Sequence, residues 1–289
     1  MVPLMQDRID ILIAERAPWL FQGSPRLKPL RSLLNAALSY DRTVALASRF
    51  RDSPSPVILG EMGRLLARDV TVSGLDRLPR HGPALIVANH PTGIADGVIL
   101  YHLLAQVRPD IYFFANRDIL RVLPQMEDVI APVEWRKDKR SHGKTRETMA
   151  FTRQAVEDGR LGVLFPSGRL AQRRGLRLFE RPWMSSAAML ARKFELPVIP
   201  VNLQARNSVL FYLFDLIHPT LRDITLFHET LNKARQPYAV TIGEAISPQA
   251  LPATSEKGIE MLRRATLGLG GADGPTVSLI QTTRSPLRA

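Results

Sequence analysis

His90 and Asp96 lie six positions apart in one polar loop of this chain of 289 residues. Imidazole is the side chain best suited to act as a base near neutral pH. A carboxylate beside it can hold the ring in one tautomer and stabilise the imidazolium that forms. No serine or cysteine follows in the loop to serve as a nucleophile. The simplest chemistry for this pair is therefore the removal of a proton from a hydroxyl group of a bound substrate.

The same loop also has a purely structural interpretation. Asn89 precedes a His-Pro pair and would form an Asx-type turn. Asp96 would cap the N-terminus of the helix that follows. The residue types and their spacing alone leave both interpretations open.

Two apolar segments must position this loop. Residues 83–88 follow a glycine and predict a buried strand, and residues 97–104 predict a helix. In open α/β folds, ligands bind outside the carboxyl ends of the strands, which is where this loop would lie.

Other apolar segments alternate with helical ones along the chain. Strands are predicted at 70–74, 111–115, 129–133, 161–165, 197–201 and 238–242, and helices at 119–123, 144–158 and 183–194. This alternation predicts an α/β fold with a mixed, largely parallel sheet flanked by helices. We expect an N-terminal helical section at 1–68, the α/β domain at 69–250, and a C-terminal helix with a flexible tail at 251–289.

Charge and composition narrow the possible classes of protein. The 39 lysines and arginines exceed the 27 aspartates and glutamates, and the net charge of +12 favours an anionic partner. The chain has no cysteine, which excludes disulfides, Cys-ligated zinc and a thiol nucleophile. No apolar run approaches the roughly 20 residues of a membrane-spanning helix. The N-terminus lacks the features of a signal peptide.

A second polar loop follows the strand predicted at 161–165. Its sequence, Pro166-Ser167-Gly168-Arg169, combines a tight turn with a guanidinium group. Glycine allows close approach of the backbone, and arginine offers a planar fork that suits phosphate. An arginine after such a turn is also often a solvated surface residue.

Four sequence blocks together resemble the glycerolipid acyltransferase family of the 1-acylglycerol-3-phosphate type. Residues 89–96 resemble the family's Asn-His-(four residues)-Asp block, and 131–136 resemble its segment that ends in an arginine. Residues 165–169 resemble Phe-Pro-Glu-Gly-Thr-Arg, and 196–201 resemble the Val-Pro-Val-hydrophobic-Pro-Val strand. The blocks occur in the family's order, and the resemblance covers about residues 70–247.

The chain departs from the family's pattern at two places. Five residues instead of four separate His90 from Asp96, and the loop contains Pro91 and Gly93. Ser167 replaces the usual glutamate, and no threonine precedes Arg169. This form resembles a divergent His-Pro-x-Gly branch that includes bacterial enzymes acylating other lipids. The resemblance therefore defines the reaction class better than it defines the acceptor.

The resemblance implies an O-acyltransferase of membrane lipid biosynthesis. It implies that His90 is the general base and Asp96 its orienting partner. The donor would be acyl-CoA or acyl carrier protein, and the acceptor lysophosphatidate or another lyso-lipid, with no cofactor and no metal. Residues implied to bind substrate are Asn89, Gly93, Arg136, Ser167, Gly168 and Arg169, the arginines through the acceptor's anionic head group.

We expect the protein in the cytoplasm, peripheral on the inner face of the cell membrane and in contact with its anionic surface. Two other classes are a non-catalytic lipid-binding relative of the same fold and a basic nucleic-acid-binding protein. The presence of both His90 and Asp96 argues against the first. The chain has no helix-turn-helix, zinc-ligand or RNP-type signature, which argues against the second.

The apolar segment 208–217 has two interpretations. Asp215 is its only charged residue, and the segment is too short to span a bilayer. It would lie either at the membrane interface beside the active site or in the protein core. Periodicity alone does not separate these interpretations.

Overall fold

The computed structural model describes residues 4–20, 28–134, 141–236 and 238–280. The N-terminal section is helical, as its sequence predicts. Its helices are α1 (Met5–Arg16), α2 (Lys28–Ala37), α3 (Tyr40–Arg49) and α4 (Ser55–Leu66). The domain boundaries expected at residues 68 and 250 stay predictions.

The α/β part has a seven-stranded sheet with helices on both sides. The sheet strands are β1 (Val70–Ser73), β2 (Ala84–Ala88), β3 (Ile111–Asn116), β4 (Ile130–Val133), β5 (Leu161–Leu164), β8 (Val198–Ala205) and β9 (Tyr238–Ile242). The helices are α5 (Ile94–Leu104), α6 (Asp118–Val122), α7 (His142–Glu157), α8 (Ser186–Lys193), α9 (Val209–Ile217), α10 (Pro219–Asn232) and α11 (Ser255–Gly268).

The strand order is β1-β9-β8-β2-β5-β3-β4. Every neighbouring pair in this sheet is parallel except β8 and β9, which are antiparallel. The expected mixed, largely parallel sheet is therefore confirmed. Strands β2, β3, β4, β5 and β8 all end at the same edge of the sheet. We call this edge the carboxyl edge, and β9 begins there because it runs opposite to β8.

Strand β2 shows why the sheet strands have continuous apolar sequences. All five of its residues are buried. Ile86 packs into the core that contains α4 and α5, whereas Leu85 and Val87 pack into the core that contains α8 and α11. A parallel strand covered by helices on both faces needs apolar side chains on both faces.

A second, three-stranded sheet is absent from the sequence prediction. It contains β6 (Gln172–Arg174), β7 (Arg177–Phe179) and β10 (Thr276–Ser278) in the antiparallel order β10-β7-β6. Strands of three residues with several arginines carry no apolar signal. Strand β10 lies in the part of the chain expected to be a flexible tail, and its pairing with β7 shows that this part has regular structure.

Helix α9 contains the apolar segment whose sequence has two interpretations. Phe211 is buried, and Leu210 and Phe214 pack against a small core with Leu34 and Ile224. On the opposite side of the helix, four aliphatic side chains are exposed: Val209, Leu213, Leu216 and Ile217. The helix is thus neither wholly core nor wholly surface. Within the described ranges, no helix is long and apolar enough to cross a membrane.

Candidate active site

The His-Asp loop leaves β2 at the carboxyl edge, between the ends of β8 and β5. Gly93 ends the loop at φ 102° and ψ −137°, a conformation that is essentially restricted to glycine. A Cβ atom at this position would lie 3.2 Å from the side chain of Leu170. Gly93 therefore allows the extra loop residue to fit before α5 begins at Ile94.

His90 and Asp96 form the expected pair. The Nδ1 atom of His90 lies 2.9 Å from Oδ2 of Asp96. Because an ionised carboxylate only accepts hydrogen bonds, Nδ1 carries the proton and Nε2 keeps a lone pair. The His90 ring stacks on Phe165, with ring centroids 4.2 Å apart. The imidazole is 19% exposed, whereas the carboxylate is fully buried.

Asp96 is the centre of a dense hydrogen-bond network. Its carboxylate accepts the backbone N–H groups of Thr92 (2.9 Å) and Gly93 (3.1 Å) and the hydroxyl group of Thr92. Asp96 therefore caps the start of α5 and also holds His90, whereas the Asn89 side chain forms no Asx-type turn. A catalytic role for the pair stays a prediction. Burial raises the pKa of Asp96, but the hydrogen bond and charge of His90 outweigh it and hold the pKa below its ordinary value.

Tyr238 is a further partner of Asp96. Its hydroxyl group donates to Oδ1 of Asp96 at 2.7 Å. The register of β9 on β8 pairs Tyr238 with Ala205, and this brings the first residue of β9 to the carboxyl edge. The tyrosine is 142 residues from Asp96 in sequence, so only the sheet topology reveals this contact.

Glu180 supports the backbone of the His-Asp loop. Its carboxylate accepts the N–H of His90 at 3.2 Å and the indole N–H of Trp183 at 3.0 Å. Burial raises the pKa of Glu180. No spacing in the sequence links this acid to the loop, although the apolar and aromatic residues beside it are compatible with a buried carboxylate.

Asn89 has a structural contact, and the substrate-binding role implied by the family resemblance stays a prediction. Its side chain is buried, and it brackets the backbone of Leu203 on β8. Nδ2 of Asn89 donates to the Leu203 carbonyl at 2.9 Å, and Oδ1 accepts the Leu203 N–H at 2.7 Å. The amide therefore joins the loop to the neighbouring strand, which is a structural role.

The second polar loop leaves β5 at the same edge, directly beside the His-Asp loop. Gly168 has φ 59°, and its N–H closes the turn on the Phe165 carbonyl at 2.9 Å. Ser167 is buried and donates to the Arg169 carbonyl at 2.8 Å, and its contact with substrate stays a prediction. Arg169 is exposed, and its guanidinium forms no ion pair with any residue that the structure describes.

Arg136, the remaining residue implied to bind substrate, lies outside the described residues. Gly93 and Gly168 line the two loops, and their contact with substrate stays a prediction. Among the described residues, no group of three His, Asp or Glu side chains could hold a metal ion. At this edge the described residues thus bring together an imidazole, the carboxylate that bonds to it and the exposed guanidinium of Arg169.

The sequence is similar to those of known proteins. A family model described as Acyltransferase matches residues 69–204. A lyso-glycine lipid O-acyltransferase of Phocaeicola vulgatus is 24% identical over an alignment of 192 residues, and the match covers 64% of this chain and 67% of that protein. A second one, from Bacteroides thetaiotaomicron, is 21% identical over 204 residues, 71% of this chain and 72% of that protein.

One solved structure has a similar fold. It is the 1-acyl-sn-glycerophosphate (LPA) acyltransferase PlsC from Thermotoga maritima. The match has a TM-score of 0.50 at 15% identity and covers 84% of this chain and 96% of that chain. At this identity the likeness concerns the fold alone.

Proposed function

We propose that this chain, which belongs to the glycerolipid acyltransferase family, transfers a fatty acyl group to the hydroxyl of a lyso-lipid. It is an O-acyltransferase of lipid biosynthesis. The donor in this proposal is acyl-CoA or acyl carrier protein. The observation that carries the proposal is the His90–Asp96 pair at the carboxyl edge, with Nε2 free to accept a proton.

In this mechanism His90 and the two substrates account for every proton that moves. Nε2 of His90 takes the proton of the acceptor hydroxyl as its oxygen attacks the thioester carbonyl carbon. The buried carboxylate of Asp96 stabilises the imidazolium that forms. The carbon–sulfur bond then breaks, and the departing thiolate takes the proton back from His90. An ester and a free thiol result, so every atom is accounted for.

The acceptor in this proposal is a lyso-lipid with an anionic head group. Arg169 supports this choice, because its exposed guanidinium lies on the loop next to His90. A guanidinium binds phosphate and carboxylate equally well in a bidentate fashion. The two relatives named as lyso-glycine lipid O-acyltransferases widen the choice of acceptors beyond lysophosphatidate.

Peripheral attachment to the inner face of the cell membrane is a further part of the proposal. The acceptor and the product are lipids that reside in the membrane. A net charge of +12 favours adsorption to an anionic lipid surface.

A thioester-release assay tests the proposal. The purified protein is incubated with acyl-CoA or acyl carrier protein and a panel that includes lysophosphatidate and lyso-glycine lipid. We expect thiol release that depends on an anionic lyso-lipid, with the ester identified by mass. His90→Ala should lower this rate roughly 10²- to 10⁴-fold without loss of fold. Near-normal turnover in His90→Ala, or no release with any lyso-lipid, would contradict the proposal.

A further inference from the structure

We infer that the exposed side of α9 docks on an anionic lipid surface and holds the carboxyl edge of the sheet against it. This inference rests on the proposed function, because it gives a lipid acceptor a path to His90. We call the docking surface the α9 face and define it by four side chains: Val209, Leu213, Leu216 and Ile217.

The α9 face is a continuous apolar stripe. Its members follow one another by four, three and one positions, which places them on one side of a helix with 3.6 residues per turn. Each is between 49% and 79% exposed. Phe211 on the opposite side is buried. Exposed aliphatic residues on a helix whose other side lies in the core form an apolar patch, and such patches mark sites of interaction with a partner or a membrane.

Hydrogen bonds fix α9 relative to the His-Asp loop. Asn207, just before the helix, donates to the Thr92 carbonyl at 3.4 Å and accepts from the buried ammonium of Lys233 at 2.6 Å. Ser208 caps the helix, and its N–H donates to Glu229 at 2.7 Å. The helix is therefore held rigidly to the His-Asp loop. Docking of α9 on a lipid surface would consequently fix the orientation of His90 relative to that surface.

Three arginines lie near α9 and α10. Arg181 is close enough to Arg169 and Arg222 for their charges, after burial, to lower its pKa. Asp215 on α9 and Asp223 on α10 both pair with Arg222, at 3.0 Å and 2.8 Å. The exposed aliphatic side chains of the α9 face, on a chain with a net charge of +12, are complementary to a surface of acyl chains and anionic head groups.

This combination favours a lipid surface over a protein partner. An acidic carrier protein would engage the guanidiniums without needing four exposed aliphatic residues. A second copy of the chain would bring the same arginine cluster against itself, and like charges across an interface are repulsive. Lipid satisfies the apolar and the charged groups at the same time.

Vesicle flotation tests the inference on the full-length chain. The vesicles contain phosphatidylcholine alone or phosphatidylcholine mixed with phosphatidylglycerol. Leu216→Glu combined with Ile217→Glu should weaken binding to the anionic vesicles about a hundredfold, because each buried side chain of this size contributes about tenfold. Leu33→Glu with Val57→Glu is the matched control, since these residues are 67% and 45% exposed on α2 and α4. The control should bind like the wild type.

Two results would overturn the inference. One is unchanged binding by the α9 variant, and the other is loss of binding by the control instead. Equally strong binding of the wild type to neutral vesicles would also overturn it. So would a variant that keeps its binding to vesicles but loses binding to acyl carrier protein. If the double variant unfolds early on heating, Val209→Glu replaces it, because an acidic residue is favourable in the first turn of a helix.

A second measurement separates this inference from the proposed function. Acyl transfer to a short-chain lyso-lipid is followed in solution without vesicles. The α9 variant should retain wild-type turnover there, since its changed side chains are 66% and 62% exposed and lie outside the His-Asp loop. If the wild type transfers no acyl group, the proposed function fails, and flotation still decides the docking surface.

Discussion

The loops that follow β2 and β5 lie side by side at the carboxyl edge, but they are built in opposite ways. After β2, His90 and Asp96 are held by Thr92, Gly93, Tyr238 and Glu180, and the carboxylate is fully buried. After β5, the turn is closed on itself and leaves the Arg169 guanidinium in the open.

The difference suits the two loops to different parts of the proposed reaction. A proton transfer needs a base in one orientation and one tautomer, so a rigid surrounding favours it. A head group of a lipid can vary, and an exposed guanidinium on a flexible stem binds several anions. The comparison predicts that changes in the first loop alter the chemical step and that changes in the second alter acceptor binding.

The largest expected effect is that of Asp96→Asn. The amide group stabilises the wrong tautomer of His90, which in comparable dyads lowers kcat about 10⁴-fold. The new NH₂ group also lies opposite the backbone N–H groups of Thr92 and Gly93, and donors that face donors form no hydrogen bond. The unfolding free energy should therefore fall by roughly 3 to 5 kcal/mol. Single-turnover kinetics and thermal unfolding measure the two effects. A rate within tenfold of the wild-type rate would contradict the prediction that the first loop serves the chemical step.

The same substitution should change how the free energy of unfolding depends on pH. Because the pKa of Asp96 is lower in the folded chain than its ordinary value of 3.8, its contribution to stability is present above that value. The contribution is lost as the pH falls through the folded-state pKa. Asp96→Asn should therefore flatten the acid limb of the stability curve. Asp110→Asn is the control. The pKa of Asp110 is also lowered, against burial, by Arg108, but Asp110 lies at the other edge of the sheet. This variant should therefore change the dependence of stability on pH and keep the wild-type turnover.

Arg169→Lys should give the next largest effect. Lysine cannot reproduce the bidentate geometry, so we expect a rise of about 10- to 150-fold in the acceptor's KM, with the donor's KM unchanged. Steady-state kinetics with each substrate varied in turn measures both. Arg174→Lys, on the hairpin that follows, is the matched control and should behave like the wild type. A selective rise in the donor's KM would assign Arg169 to the acyl carrier.

Tyr238→Phe should give the smallest effect on the rate of acyl transfer and tests the first loop through its pH dependence. Without this donor, more negative charge stays on Asp96, so the acid limb of kcat/KM should move to higher pH with a rate change within about tenfold. Tyr112→Phe is the control, because the buried Tyr112 hydroxyl has no hydrogen-bond partner among the described residues. An identical pH profile in Tyr238→Phe and the wild type would contradict a positioning role.

The sequence predicts the central sheet well and the support of the site poorly, for physical reasons. Strands such as β2 are buried on both faces, so their apolar runs are conspicuous. The pairing of His90 with Asp96 was predicted because both lie in one short loop. Tyr238 and Glu180 were missed because they approach that loop only through the folded sheet.

Two polar residues have contacts that the sequence does not predict. Asn89 and Ser167 are of types that suit substrate binding, and the family resemblance implies that role for both. In the structure their side chains bond to the backbone of Leu203 and Arg169. Local sequence contains no information about which distant carbonyl a side chain will meet, so residue type alone could not predict the contact of Asn89 with β8.

The reversal of direction between β8 and β9 has a consequence for how this enzyme can diversify. Adjacent antiparallel strands need a connection of only a few residues. Here α9 and α10 occupy the connection between Ala205 and Tyr238, which are directly opposite each other in the sheet. Helices placed in such a connection can be lengthened, shortened or exchanged while both strand ends keep their positions. Evolution, or a protein engineer, can thus alter the exposed sides of α9 and α10 separately from the His90–Asp96 pair, provided that the contact of Asn207 with Thr92 is kept.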